Sequence, residues 1–93
     1  MFVRVITVTL FIGEAQTLKD KRQVIQSIIN KLHNKLNVSV AEVDYQDQWQ
    51  RSRLGIAFLS NQLSFLDTIE QEIFKLVETQ YPVEITEVET NDY

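Results

Sequence analysis

The stretch Val38–Leu59, VSVAEVDYQDQWQRSRLGIAFL, decides the fold, because it contains two strands separated by a short polar loop. The residues Val38–Tyr45 alternate with a slip near Ala41, which indicates either a bulge or an edge strand that curls. The residues Arg53–Leu59 alternate more regularly and predict the next strand. Because only the Gln46–Gln50 loop lies between them, the two strands are expected to form an antiparallel hairpin.

A strand and a helix precede this hairpin. Phe2–Ile12 alternates with period 2, and its even-numbered residues, of which only Arg4 is charged, are expected to face the core. Thr17 and Asp20 form a capping box that predicts a helix start, and Asn37 is a suitable left-handed stop. The expected buried stripe of this helix consists of apolar residues at spacings of one, three and four: Val24, Ile25, Ile28, Ile29, Leu32 and Leu36.

A second helix and a last strand follow the hairpin. The helix is expected to begin at Ser60-Asn61, or at Ser64 with Asp67 as its capping partner. It is expected to end at Tyr81-Pro82, because proline disfavours the helical conformation of the residue before it. The acidic stretch Val83–Val88 predicts an edge strand. Residues 90–93 are expected to be a frayed tail.

The order β-α-β-β-α-β predicts an α+β, ferredoxin-like fold in a single domain of residues 1–93. Both helices should cover one face of a four-stranded antiparallel sheet and leave the other face open. The open face should carry mostly apolar or small side chains: Val3, Val5, Thr7, Thr9, Phe11, Ala57 and Leu59. One hypothesis is therefore a structural homo-oligomer, such as a homodimer, that buries this open face.

Composition excludes several classes of protein. The absence of cysteine excludes a disulfide framework and a thiolate metal site. The net charge of −4 argues against a general nucleic-acid binder or membrane-surface binder, and neither DNA nor a membrane is expected as a partner. Up to Asn61, however, eight basic residues stand against five acidic ones, whereas the rest of the chain is strongly acidic. The apolar start resembles neither an export signal nor a membrane span, so a cytoplasmic location is expected.

The sequence offers no convergent catalytic, cofactor or metal site. The only histidine is His33, late in the first helix, where a surface position is the simplest interpretation. Gly13 and Gly55 are isolated, so no glycine-rich phosphate loop is present. We therefore expect a binding module without a cofactor, and not an enzyme.

Two short motifs are candidates for partner binding. Lys19, Lys21 and Arg22 place three cations in the first turn of a helix, where the helix dipole disfavours them. They are either an ordinary solvated face or contacts to phosphates or an acidic partner. Trp49, next to Gln50-Arg51 at the hairpin tip, either folds back onto the helices or is offered to a partner.

Four blocks in order resemble the YlxP-like family of small bacterial proteins, a domain of unknown function (DUF503). The blocks are TLKDKR at 17–22, NVSVAEVD at 37–44, DQWQR at 47–51 and LG at 54–55. Thr17 stands where the family usually has serine, which keeps the hydroxyl cap. The resemblance implies a ferredoxin-like fold and no established catalytic residue.

Members of that family are often encoded among translation and ribosome-maturation genes. The resemblance therefore implies an accessory role on a ribosomal particle or structured RNA. Under that hypothesis the partner-binding residues are the cations and the indole of the two motifs: Lys19, Lys21, Arg22, Trp49 and Arg51.

Overall fold

The computed structural model describes all 93 residues and has the predicted order of strands and helices. The elements are β1 (Phe2–Phe11), α1 (Leu18–Leu36), β2 (Ser39–Asp44), β3 (Arg51–Ser60), α2 (Leu63–Gln80) and β4 (Glu84–Asp92). The strands form one antiparallel sheet in the order β2-β3-β1-β4, with the two helices on one face. The predicted ferredoxin-like α+β fold is confirmed.

The core lies between the sheet and the helices, where 16 apolar residues are buried in one cluster. The even-numbered residues of β1 supply Ile6, Val8 and Leu10, as the alternation predicted. Alternate residues of β3 supply Leu54, Ile56 and Phe58 to the same layer, and the apolar stripes of α1 and α2 pack against it.

The limits of α1 are those the sequence predicts. The Asp20 amide donates to Thr17 Oγ1 at 3.1 Å, and the Gln16 amide donates to Asp20 Oδ2 at 3.1 Å. At the other end Asn37 adopts the left-handed conformation with φ 52°, and its amide donates to the His33 carbonyl. Polar residues that satisfy the terminal backbone groups therefore begin and end this helix.

Two local predictions were wrong, those for the cap of α2 and for the chain end. The cap of α2 is Gln62, which makes no side-chain capping bond; Ser64 lies inside the helix. The irregularity expected near Ala41 falls between Glu42 and Asp44, and β2 is an edge strand of the sheet. Residues 90–92 belong to β4 and pair with β1, and the Tyr93 and Val3 backbones exchange two hydrogen bonds. Pairing with the central strand β1 orders the chain end that was expected to fray.

Neither helix combines the length and the apolar character needed to cross a membrane.

Candidate functional site

The start of α1 and the β2–β3 turn lie together at one end of the molecule. The strand ends meet there because β1 and β3 pair from Phe2–Ser60 to Phe11–Arg51. The Ile12 amide donates to the Gln50 carbonyl at 2.8 Å, and Gln50 Nε2 donates to the Gly13 and Ala15 carbonyls. The turn is thereby attached to the segment that leads into α1.

Lys21 is the main link between the helix and the turn. Its side chain is fully buried, and its Nζ lies 3.1 Å from Glu42 Oε2. The same ammonium donates to two backbone carbonyls of the turn, those of Tyr45 at 2.8 Å and Gln46 at 3.2 Å, and to the carbonyl of Arg51, the first residue of β3, at 3.2 Å. All of its hydrogens are directed to groups inside the protein, and Glu42 also accepts from the Ser52 hydroxyl.

This burial corrects the expectation that Lys21 is a surface cation. Lys21 lies four residues before Ile25 and seven before Ile28, so it continues the buried stripe of α1 toward the helix start. The ammonium cannot contact a partner from that position. Of the five predicted binding residues, Lys21 instead joins α1 to the turn that carries Trp49 and to the Arg51 backbone.

The other four predicted residues are exposed at this end. Lys19 and Arg22 lie on the outer side of the first turns of α1, and Arg51 begins β3. Trp49 is 54% exposed, so part of its indole is presented to solvent. We refer to Lys19, Arg22, Trp49 and Arg51 as the α1–turn surface.

Tyr45 is a residue of this region that the sequence did not single out. Its φ is 62°, a conformation that is costly for a bulky side chain. The Arg51 guanidinium lies 4.1 Å from the centre of its ring and the Arg53 guanidinium 4.9 Å, and Arg53 Nη2 donates to its hydroxyl. Backbone strain of this kind is found at functional sites, and here it accompanies an aromatic ring that two guanidinium groups approach. The alternation slip in β2 was the only signal in the sequence.

A groove along the outside of α1 extends the α1–turn surface. Its lining includes Lys19, Arg22, Lys31 and Lys35 and one acidic residue, Glu42. The Glu42 carboxylate is already bonded to Lys21 and Ser52. The remaining polar lining consists of amides and a hydroxyl from the outer face of α1, with Tyr81 from the end of α2: Gln23, Gln26, Ser27, Asn30, Asn34 and Tyr81. The groove thus presents cations and neutral hydrogen-bonding groups.

A second cluster of charges lies at the opposite end of the sheet, away from the α1–turn surface. Arg4, which is 6% exposed, donates two hydrogen bonds to Asp92 at 2.6 and 2.9 Å and one to Asp67 at 2.8 Å. Hydrogen bonding to Arg4 lowers the pKa of Asp92, and the same bonds raise the pKa of Arg4 above its ordinary value. The cluster joins β1, α2 and β4, and its charges are satisfied internally.

No group of three or more histidine, aspartate or glutamate side chains is arranged to hold a metal ion. The His33 ring is exposed, with Nδ1 3.1 Å from the Val38 carbonyl oxygen, at the far end of α1 from the α1–turn surface.

Comparison with known proteins gives two matches. The model of a family described as a protein of unknown function (DUF503) matches residues 3–90. A stretch of 50 residues is 48% identical to the Bacillus subtilis (strain 168) protein described as uncharacterized protein YlxP. That stretch spans 54% of this chain and 54% of the relative, so about half the length of the relative is matched.

Proposed function

This chain belongs to the DUF503 family of proteins of unknown function, and we propose that it is a non-enzymatic module that binds structured RNA of a ribosomal particle. The proposal assigns binding to the α1–turn surface and the adjoining groove of α1, and it places the protein in the cytoplasm with its partner. The genomic setting implied by the family resemblance agrees with this role.

The observation that carries the proposal is the presentation of Trp49. A tryptophan that is 54% exposed on a turn is free to stack on an unpaired base. The turn is held by Lys21, by Gln50 and by the pairing of β3 with β1. Binding would therefore order little of the protein, which lowers the entropic cost of the contact.

The cations of α1 support an anionic partner. Lys19 and Arg22 flank Lys21, which joins α1 to the turn, and Lys31 and Lys35 continue the cations along the helix. From Lys19 to Lys35 the helix extends about 24 Å at about 1.5 Å per residue, a length that spans several phosphates. Asp20 is the one carboxylate of α1, and it is engaged in the capping box.

Two exposed carboxylates limit the strength of this surface. Glu14 lies in the segment before α1 and Asp47 lies in the turn. They lower the positive potential, so we expect binding that is modest in affinity and sensitive to salt. The open sheet face is a poorer candidate for RNA, because Glu87 and Glu89 lie along its β4 side.

Co-sedimentation with ribosomal subunits at two salt concentrations tests the proposal. The wild-type protein should sediment with the particles at low salt and be released at higher salt. The double variant Lys19→Ser/Arg22→Ser should lose binding, and its salt dependence should be shallower by about two phosphate contacts. The matched control is Lys75→Ser, which removes an exposed cation from α2 and should behave like the wild type.

Failure of the wild-type protein to bind at low salt would overturn the proposal. Equal binding by the double variant and by Lys75→Ser would also overturn it, since the cations of α1 would then contribute nothing specific. Trp49→Ala separates the two parts of the surface, because it should weaken binding while leaving the salt dependence unchanged.

A further inference from the structure

The outward face of α1 carries a row of side-chain amides. Four exposed residues recur at helical spacings of three and four on the side opposite the buried stripe: Gln23, Gln26, Asn30 and Asn34. We refer to them as the amide stripe. Gln26 Nε2 donates to Asn30 Oδ1, one turn further along, at 3.0 Å. No charged residue lies between Arg22 and Lys31, so the middle of the helix presents neutral groups to solvent.

Cations lie on both flanks of the amide stripe. At about 3.6 residues per turn, Arg22 lies roughly 90° to one side of the stripe, and Lys31 and Lys35 lie roughly 90° or more to the other side. The contacts of the helix agree with this division. Lys31 Nζ donates to Gln80 Oε1 at the end of α2, whereas the ammonium of Lys21, next to Arg22, is directed to the β2–β3 turn. The outward face of α1 therefore has a neutral centre and cationic flanks.

The outward face of α2 is built differently. Its exposed positions mix acidic residues with a single cation: Asp67, Glu72, Lys75 and Glu78. Such charges are favourable on a face that stays in water. They are depleted from the centres of interfaces, because removing water from an ion costs more free energy than removing it from an amide. The neutral centre on α1 is therefore suited to being covered by a partner.

We propose that the amide stripe enters the minor groove of an RNA duplex, with the cations of its two flanks at the phosphates of the two strands. This inference rests on the proposed function and names the element of structured RNA that α1 contacts. The minor groove of an RNA helix is wide and shallow, and it displays 2′-hydroxyls and base edges. These groups both donate and accept hydrogen bonds, as a side-chain amide does.

The arrangement of charges favours a duplex over a single strand. One strand of phosphates would be matched best by a single row of cations, whereas cations on opposite flanks of a neutral stripe match the two strands that border a groove. The single acidic residue of the groove along α1, Glu42, is already bonded to Lys21 and Ser52. A duplex on α1 and an unpaired base on Trp49 are both elements of structured RNA, so the two contacts are compatible.

The dimensions of α1 also agree with an RNA minor groove. An α-helix with its side chains is about 10 Å across, which is too wide for the minor groove of B-DNA at about 6 Å. Arg22 and Lys35 are separated by about 20 Å along the helix axis at about 1.5 Å per residue. That length reaches several phosphates on either side of the groove.

Fluorescence anisotropy at low salt tests this inference with three labelled probes. They are an RNA duplex of mixed sequence and about 16 base pairs, the DNA duplex of the same sequence, and one strand of the RNA alone. The wild-type protein should bind the RNA duplex about tenfold more tightly than either other probe, because only that probe combines two phosphate strands with a groove of 2′-hydroxyls.

The variant Gln26→Ala/Asn30→Ala should bind the RNA duplex about tenfold more weakly than the wild type does. Its salt dependence should be unchanged, because no phosphate contact is removed. Alanine favours the helix, so the variant should keep its fold. The matched control is Gln71→Ala, which removes an exposed amide from α2 and should bind like the wild type.

Equal affinity of the wild-type protein for the RNA and DNA duplexes would overturn the inference, and so would equal affinities of the two amide variants for the RNA duplex. Neither result would overturn the proposed function, which depends on the salt-sensitive binding of ribosomal subunits through Lys19 and Arg22. Failure to bind the subunits as well as all three probes would overturn both.

Discussion

At the scale of single residues, Lys21 determines how the candidate site is built. Its ammonium is removed from water entirely, which is favourable only because Glu42 and three backbone carbonyls surround it. Removing one partner of such a buried network leaves the others unsatisfied. The exposed positions of Trp49 and Arg51 therefore depend on a residue that touches no partner.

We predict that Lys21→Met destabilises the protein by about 3 kcal/mol, because Glu42 and the turn carbonyls lose their donor while the methylenes are kept. Lys19→Met, two residues away and exposed, should change the free energy of unfolding by less than about 0.5 kcal/mol. Urea unfolding of the two variants measures both values. Equal small effects would show that the buried network contributes little.

The helical spacing of Lys21 relative to Ile25 and Ile28 indicates burial, whereas its charged side chain indicates exposure. Its position four residues before Ile25 is part of the same helical stripe, yet a lysine is almost never fully buried without a partner. The partners come from the β2–β3 turn, which is more than 20 residues away in the chain. Only the fold brings them together. The exposure of Trp49 was undecided for the same reason.

At the scale of elements, the two helices differ in how they begin. Helix α1 has the capping box of Thr17 and Asp20, a local signal that sequence reasoning found correctly. Helix α2 begins after Gln62, whose side chain makes no capping bond. The two serines that resembled caps have other roles, since Ser60 Oγ accepts from the Gln62 amide and Ser64 lies inside the helix. No side-chain cap marks the start of α2, which is why the local pattern misplaced it.

Because the Gln62 side chain makes no capping bond, a better capping residue at this position should stabilise the protein. We predict that Gln62→Asp raises the free energy of unfolding by about 1 kcal/mol, because the carboxylate can accept from the first-turn amides and interacts favourably with the helix dipole. Thr17→Ala at the cap of α1 should lower it by about the same amount. Chemical denaturation checks both, and a neutral or destabilising Gln62→Asp would contradict the geometry described for this cap.

The strands follow the alternation of their sequences except in the exposed edge strand β4. The faces of β1 and β3 were predicted correctly, because each contrasts buried apolar residues with another set at period 2. Strand β4 is exposed along almost its whole length, so it has no hydrophobic pattern from which its end at Asp92 could be recognised. Its length is set by backbone pairing with β1.

At the scale of the whole molecule, Arg4 connects the two ends of the chain. It lies in the second position from the start of β1 that faces the helices, and its carboxylate partners Asp67 and Asp92 come from α2 and β4. The cluster and the backbone bonds between Val3 and Tyr93 close the sheet at this end. Truncation of residues 90–93 would remove both the Asp92 side of the Arg4 cluster and the backbone hydrogen bonds of Tyr93.

The Arg4 cluster predicts a specific dependence of stability on pH. The pKa of Asp92 is lowered in the folded state, chiefly by its hydrogen bonds with Arg4. The ionised Asp92 carboxylate therefore contributes to the free energy of unfolding at pH values above the ordinary aspartate pKa. This contribution is lost as the pH falls through the lowered pKa. The difference in unfolding free energy between wild type and Asp92→Asn should be constant near neutrality and should shrink below about pH 4.

Denaturant unfolding at a series of pH values measures this difference. Glu78→Gln is a suitable control, since this exposed glutamate of α2 has no ion-pair partner in the structure. A difference for Asp92→Asn that did not change with pH would show that the carboxylate charge does not contribute to the closed sheet end.

The most direct test of the RNA-binding account uses Trp49, the only tryptophan in the chain, as its own reporter. Its fluorescence is measured while protein-free structured ribosomal RNA is added at low salt, with Lys19→Ser/Arg22→Ser alongside. The account predicts quenching that saturates, is reversed by salt and is lost in the double variant. Binding of the RNA with unchanged Trp49 emission, or no binding at all, would contradict it.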